Sequence, residues 1–141
     1  MDPQTPTMDL AALDTRKGAE QGYELQLVHP QTGAALPGKL MLLGADSSAW
    51  QDRQAELLQA RVNRLAKNKK SVASVEELEH DSIELLVAVT TGWSGIVLGG
   101  APFPWTPENA RKLYAGYPWI REQAFEAVND RGNFLPRSAP N

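Results

Sequence analysis

Two histidines are the residues best suited to acid–base or metal chemistry, and the sequence gives neither of them strong partners. His80 has Glu76 and Glu84 four residues away on either side, a spacing that would place three metal ligands on one helix face. One histidine with two carboxylates is a weak zinc pattern, and a charged, solvated helix face explains it better. His29 precedes Pro30, where a turn residue is expected. We therefore predict no metal site and no cofactor.

The other catalytic patterns are equally incomplete. Glu77, Asp81 and Glu84 lie close in sequence, but an acid–base pair needs two different environments, and we expect these side chains to be exposed. Ser94 lies between glycines but lacks the Gly-x-Ser-x-Gly elbow, and no glycine-rich stretch continues into a phosphate-binding loop. The chain has no cysteine, which excludes a thiol nucleophile, disulfides and cysteine-ligated metals. We predict that the protein is not an enzyme.

A short basic strip raises the question of nucleic-acid binding. Its residues Arg61, Arg64 and Lys67 could contact phosphates. The strip has no interleaved aromatic residues, residues 74–92 carry five acids and no base, and the net charge of the chain is −3. Two interpretations stay open: a weak nucleic-acid surface, or an antiparallel helix pair in which this basic end faces the acidic residues 76–81. We expect no nucleic-acid partner.

Aromatic residues are concentrated in one segment, because eight of the ten lie between Trp93 and Phe134. Large rings fill the core of a small domain, and exposed tryptophan and tyrosine side chains also anchor protein partners. We assign Trp93, Phe125 and Phe134 to the core, and Trp93 is also kept as a binding candidate. The candidate protein-binding residues are the aromatic Trp93, Phe103, Trp105, Tyr114, Tyr117 and Trp119 and the helical Ile83 and Val87.

Hydrophobic spacing predicts the elements that position these residues. Residues 23–27 alternate between apolar and polar side chains, residues 30–33 have turn chemistry, and residues 39–43 form a return strand. The resulting hairpin over residues 23–43 needs another element across its apolar face.

Helix caps and a 3.6-residue apolar spacing predict four helices after the hairpin. Ser48 with Gln51, and Ser74 with Glu77, fit the capping box, while Thr106 is followed by proline at the first helical position. The second helix is apolar on two faces, which predicts a central place or pairing with another chain. The predicted helices cover residues 47–67, 75–91, 107–115 and 118–129.

We predict an α+β fold, mostly α, with an N-terminal β-hairpin followed by about four helices in a small bundle. A single globular domain spans residues 22–135, between a flexible N-terminal arm at 1–21 and a flexible tail at 136–141. Residues 96–98 are expected to be a buried extended stretch or the end of the preceding helix. No apolar run approaches the roughly 18 residues of a membrane helix, and no signal peptide is visible, so we expect a soluble protein without membrane contact.

Four short motifs in the aromatic segment resemble the tail assembly chaperones of long-tailed bacteriophages and prophages. They are Gly-Trp-Ser-Gly-Ile-Val-Leu at 92–98, Pro-Phe-Pro-Trp-Thr-Pro-Glu-Asn-Ala at 102–110, Tyr-Pro-Trp-Ile at 117–120 and Asp-Arg-Gly-Asn-Phe at 130–134. The hairpin followed by Gly-Ala-Asp-Ser at 44–47 is also similar, so the resemblance extends from about Tyr23 to Phe134. Trp105-Thr106 stands where Phe-Ser is usual in that group.

The resemblance implies a non-catalytic protein that binds the tape-measure and tail-tube proteins during tail assembly in the host cell cytoplasm and is absent from the finished particle. The tape-measure protein is long and largely helical, and its amphipathic helices need a transient apolar cover. Two alternatives stay open: a structural virion component of the head, neck or tail, and a small nucleic-acid-binding regulator that uses Arg61, Arg64 and Lys67. Self-association is a further option.

Overall fold

The computed structural model describes residues 5–68 and 74–136 of the chain. Its fold is α+β and mostly α, with the predicted N-terminal hairpin followed by four α-helices as expected, and in the described part a fifth α-helix precedes the hairpin. Short 3₁₀ turns at Leu10–Leu13 and Arg131–Phe134 flank these elements. The helices and strands, in chain order, are α1 (Thr15–Gln21), β1 (Tyr23–Val28), β2 (Ala35–Leu42), α2 (Ser48–Asn68), α3 (Val75–Val89), β3 (Thr90–Ser94), β4 (Val97–Leu98), β5 (Ala101–Pro102), α4 (Pro107–Gly116) and α5 (Pro118–Asn129).

The hairpin belongs to a three-stranded antiparallel sheet in the order β1-β2-β3. In the central strand, Leu40 pairs with Leu25 on one side and with Trp93 on the other, and it is fully buried. Helix α5 packs against β1 and β2, and it supplies the cover that the apolar face of the hairpin requires. The side-chain amide of Gln123 on α5 bonds to both the N–H and the C=O of Val28, at 3.0 and 2.9 Å, and so occupies the outer edge of β1.

Helix α3 lies at the centre of the helical layer, where it contacts α2, α4 and α5. This confirms the central position predicted from its two apolar faces. Small residues on α5, Ala124 and Ala127, are buried and allow that helix to approach its neighbours closely. The largest buried side chains of the core, drawn from both the sheet and the helices, are Tyr114, Leu40, Leu42, Leu86, Val89 and Val128.

The helix caps agree with the sequence in two places and differ in one. The Ser74 hydroxyl accepts the Glu77 N–H at 3.1 Å, and the Thr106 hydroxyl caps α4, as predicted. The predicted capping box of Ser48 with Gln51 is wrong, because the Ser47 hydroxyl accepts the N–H of the third helical residue, Trp50, at 3.3 Å. Ser48 is the first helical residue, and its N–H donates to the carboxylate of Glu20 on α1. A contact between distant elements therefore sets the start of α2.

The N-terminal arm is shorter than expected, because residues 15–21 form helix α1 rather than a flexible segment. Its Ala19 is only 1% exposed, and Gly18 lies so close to the backbone of Phe134 that a β-carbon would come within 1.5 Å of the carbonyl oxygen. The Asp46 carboxylate adds a polar link, since it accepts bonds from Thr15 at 2.8 Å and from Arg131 at 2.7 and 3.0 Å. Residues 1–4 of the predicted arm and 137–141 of the predicted tail lie outside the described residues.

The segment after α3 also differs from the expectation. Helix α3 ends at Val89 rather than at residue 91, because the chain turns into β3 at Thr90. Residues Val97–Leu98 are extended, but they are not buried: they pair with β5 in a small ribbon and are 66% and 47% exposed. Gly95, at φ +71°, makes the sharp turn into this ribbon, and a β-carbon there would lie 2.5 Å from the Pro37 carbonyl oxygen.

Candidate protein-binding site

The histidines take no part in a metal site in the described ranges, 5–68 and 74–136, where no group of three or more His, Asp or Glu side chains is arranged to hold an ion. The ring of His29 accepts the backbone N–H groups of Gln31 and Thr32 at 3.1 and 3.3 Å, so it stabilises the hairpin turn. His80 is exposed and contacts Asp81 at 3.3 Å. His29 is thus the turn residue that the sequence predicts, and His80 itself is solvent-exposed as expected.

Glu84 is not exposed as expected but nearly buried, at 8%. Its carboxylate accepts bonds from Arg53 of α2 at 2.9 Å and from Arg111 of α4 at 2.8 and 3.2 Å. The bonds from Arg111 hold the pKa of Glu84 below its ordinary value, burial works against this, and Arg53 adds to the lowering. The sequence could not show the role of Glu84, because both arginines lie 27 or more residues away. Glu84 is therefore an ion-pair junction that joins three helices.

The basic strip faces the acidic start of α3 in an antiparallel helix pair, as one of the two sequence interpretations predicted. Arg61 bonds to Asp81, and Arg64 lies 3.2 Å from Glu77. Lys67, in the last turn of α2, is exposed. Two of the three candidate nucleic-acid residues thus direct their charge toward carboxylates of the same chain, which weakens the nucleic-acid interpretation.

Two of the candidate binding aromatics are core residues, and the assignment of Tyr114 to a contact surface is wrong. Tyr114 is fully buried, and its hydroxyl bonds to the Thr90 hydroxyl at 2.7 Å. Burial raises the pKa of Tyr114, and the bond to Thr90 lowers it to a smaller extent. Phe103 is 9% exposed and is stacked on Trp93, with ring centres 5.5 Å apart. The residue type alone could not separate a ring that fills the core from one that meets a partner.

Other candidates are also placed differently from the expectation. Ile83 and Val87 are partly buried against the core, so they do not form an open apolar face on α3. Phe125, which we assigned to the core, is 37% exposed and packs edge-on against Trp50 at 5.8 Å. Phe134 is buried as predicted. Trp105 is half-buried, and its indole N–H has no hydrogen-bond partner within the described residues.

Tyr117 and Trp119 line an open groove of about 300 Å³, which we call the apolar groove. One wall is formed by β4 of the β4–β5 ribbon, with Val97 and Leu98, and another wall by the junction of α4 and α5, which carries the two aromatic residues. Phe103 contributes to the lining from the loop that follows the ribbon. None of the residues that line the apolar groove is charged. Such a lining favours an apolar occupant over a polar ligand.

Local sequence explains how the two walls form. Helix α4 ends at Gly116, and Pro118 begins α5 at once, so Tyr117 lies at the bend between the two helices. Its N–H still bonds to the Leu113 carbonyl at 3.0 Å, which fixes its position at the end of α4. The sequence did not predict that the β4–β5 ribbon lines a groove, because an apolar run such as residues 96–98 indicates burial.

Comparisons with protein-family models, with curated proteins and with solved structures give no match to this chain. Among the helices of the described residues, none combines the length and the hydropathy needed to cross a membrane. Function is therefore inferred from the chemistry of the surface, where apolar openings of this kind mark contact sites.

Proposed function

We propose that the protein is a non-catalytic tail assembly chaperone of a long-tailed bacteriophage or prophage. In this role it binds the tape-measure and tail-tube proteins during tail assembly, in the host cell cytoplasm. The observation that carries the proposal is that three of the four motifs behind the resemblance meet at the apolar groove. Residues 96–98 form one wall, Phe103 contributes to the lining, and Tyr117 and Trp119 form the other wall.

The chemistry of the apolar groove supports an apolar helix as its occupant. Amphipathic helices bind other proteins by inserting side chains from one face into an apolar groove. Val97, Leu98 and Tyr117 on the rim are 66%, 47% and 36% exposed, so water contacts them until a partner arrives. Covering such surface stabilises a complex by about 25 cal/mol for each Å² removed from water. A tape-measure helix that is not yet packed in a tail would gain the same cover.

Coexpression with the tape-measure protein tests this proposal. We expect the wild-type chain to keep the tape-measure protein soluble and to copurify with it. The double variant Val97→Ser, Leu98→Ser should lose this effect, because it makes the exposed wall polar without changing a buried side chain. Met41→Ser is the matched control, since Met41 is also exposed, at 41%, but lies outside the groove lining.

The possible results separate the function from the site. If the wild-type chain neither solubilises nor copurifies with the tape-measure protein, the proposed function is wrong. If the Val97→Ser, Leu98→Ser variant works as well as the wild type, the function stands but the apolar groove is not its site. Abundant protein in purified virions, detected by mass spectrometry, would favour a structural component of the particle instead.

A further inference from the structure

A second apolar surface, which we call the three-helix face, is formed by α2, α3 and α5. Leu58 and Val62 of α2 are 59% and 49% exposed, and Leu78 of α3 is 50% exposed. Phe125 of α5 is 37% exposed and lines a groove with Ser82 of α3, on the other side of that helix from α2. Large apolar side chains that are exposed together on neighbouring elements mark an interaction surface.

A ridge on α3 divides the three-helix face into two shallow grooves. Leu78, Ser82 and Leu85 are spaced by four and three residues, so they align along one side of the helix. Leu85 and Leu58 line a groove of about 420 Å³ between α3 and α2. Ser82 and Phe125 line a second one of about 290 Å³ between α3 and α5. A helix laid along this ridge would contact all three elements.

The charged residues around the three-helix face indicate what kind of partner could bind there. Glu122 and Glu126 line the groove beside α5, and neither forms an ion pair within the described residues. Arg121 of the same groove forms an ion pair with Glu79 at 3.1 Å and donates a hydrogen bond to the Tyr114 carbonyl at 2.9 Å. The edge beside α5 therefore carries uncompensated negative charge.

Among the described residues that line the groove between α2 and α3, none is a free cation that could balance it. Gln51 and Gln54 are neutral, and Arg61 is paired with Asp81. In a symmetric dimer the same face meets itself, so Glu122 and Glu126 would meet no free cation among the described residues that line the two grooves of a second copy. The occupant must therefore cover the exposed apolar side chains and also bring positive charge to Glu122 and Glu126. A helix with lysines or arginines beside an apolar stripe does both.

We infer that the three-helix face binds a cationic amphipathic helix of another protein. The apolar stripe of that helix covers Leu58, Leu78 and Phe125, and its basic flank faces Glu122 and Glu126. This surface is separate from the apolar groove, and the inference does not depend on the proposed function.

Two synthetic helical peptides test the inference on the full chain. Both carry leucines at helical spacing, and they differ only in having lysines or glutamates along the flanks. Fluorescence anisotropy should show binding of the lysine peptide and little binding of the glutamate peptide. Leu58→Gln with Leu78→Gln should weaken binding of the lysine peptide by about tenfold or more, because two apolar contacts are lost. Met41→Gln is the apolar control.

A second pair of variants tests the charge. Glu122→Gln with Glu126→Gln should weaken binding about threefold at low salt and less at high salt, because ions screen exposed charges. Glu108→Gln, on α4, is the matched control. Circular dichroism checks that each variant folds.

Three results would overturn the inference. Equal affinity for the lysine and glutamate peptides would show that the negative charge of the face does not select the occupant. Full binding by the Leu58→Gln, Leu78→Gln variant would show that the peptide does not bind at the three-helix face. A dimer in analytical ultracentrifugation that this variant abolishes would assign the face to a second copy of the chain. None of these results depends on the Val97 and Leu98 variants that test the proposed function.

Discussion

Replacing Glu84 with glutamine tests the ion-pair junction that joins α2, α3 and α4. Removing one partner of a fully buried ion pair costs about 3–5 kcal/mol. Here the Glu84 side chain, taken without its backbone, is 9% exposed, whereas the side chains of Arg53 and Arg111 are 31% and 48% exposed and can regain water. We therefore expect the free energy of unfolding to fall by a smaller amount, about 1–3 kcal/mol.

Glu56→Gln is a matched control for this substitution. Glu56 contacts the same arginine, Arg53, at the same 2.9 Å as Glu84 does, but its side chain is 64% exposed. Its loss should cost less than about 0.5 kcal/mol. Urea unfolding, followed by tryptophan fluorescence, measures both variants. Equal losses would refute the argument that burial gives the Glu84 contacts their strength.

The difference in stability between the wild type and Glu84→Gln should depend on pH. The pKa of Glu84 is lowered in the folded state, chiefly by the bonds from Arg111. Such a carboxyl stabilises the fold above its unfolded pKa of about 4.3 and loses that contribution as the pH falls through the folded value. The stability difference between wild type and Glu84→Gln should be complete at neutral pH and shrink below about pH 4. A difference that is constant across this range would contradict the lowered pKa.

Two further substitutions test the packing. Gly18→Ala would place a methyl carbon 1.5 Å from the Phe134 carbonyl oxygen. Helix α1 should therefore detach, so its amide hydrogens should exchange faster and the free energy of unfolding should fall by about 1–3 kcal/mol. Lys17→Ala, on the exposed side of α1, is the control. Tyr114→Phe removes the 2.7 Å bond to Thr90, which keeps a 2.6 Å bond to a backbone carbonyl, so thermal unfolding should reveal a loss of about 1 kcal/mol. Unchanged stability would contradict either account.

Local signals in the sequence were sufficient for most of the secondary structure. The caps at Ser74 and Thr106 and the alternation in residues 23–27 each depend on neighbours within a few positions, and the structure bears them out. The antiparallel pairing of α2 with α3 was also accessible, because opposite charges occur in consecutive helices.

Contacts between distant residues explain the failures. Helix α1 depends on Phe134, and the burial of Glu84 depends on arginines of two other helices. Local patterns carry no information on such partners. For the same reason, the sequence placed Tyr114 on the surface and Val97 and Leu98 in the interior, and the structure reverses both.

The contact between Gly18 and Phe134 has a consequence for the order in which the molecule is completed. Because a ribosome makes α1 before Phe134, the part of its docking surface that Phe134 provides does not exist until that residue has been synthesised. Hydrophobic contacts across so long a stretch of chain form late, because the connecting loop must close first. The contact of α1 with Phe134 is therefore completed late, whereas its contacts with Asp46 and Ser48 join residues much closer in sequence.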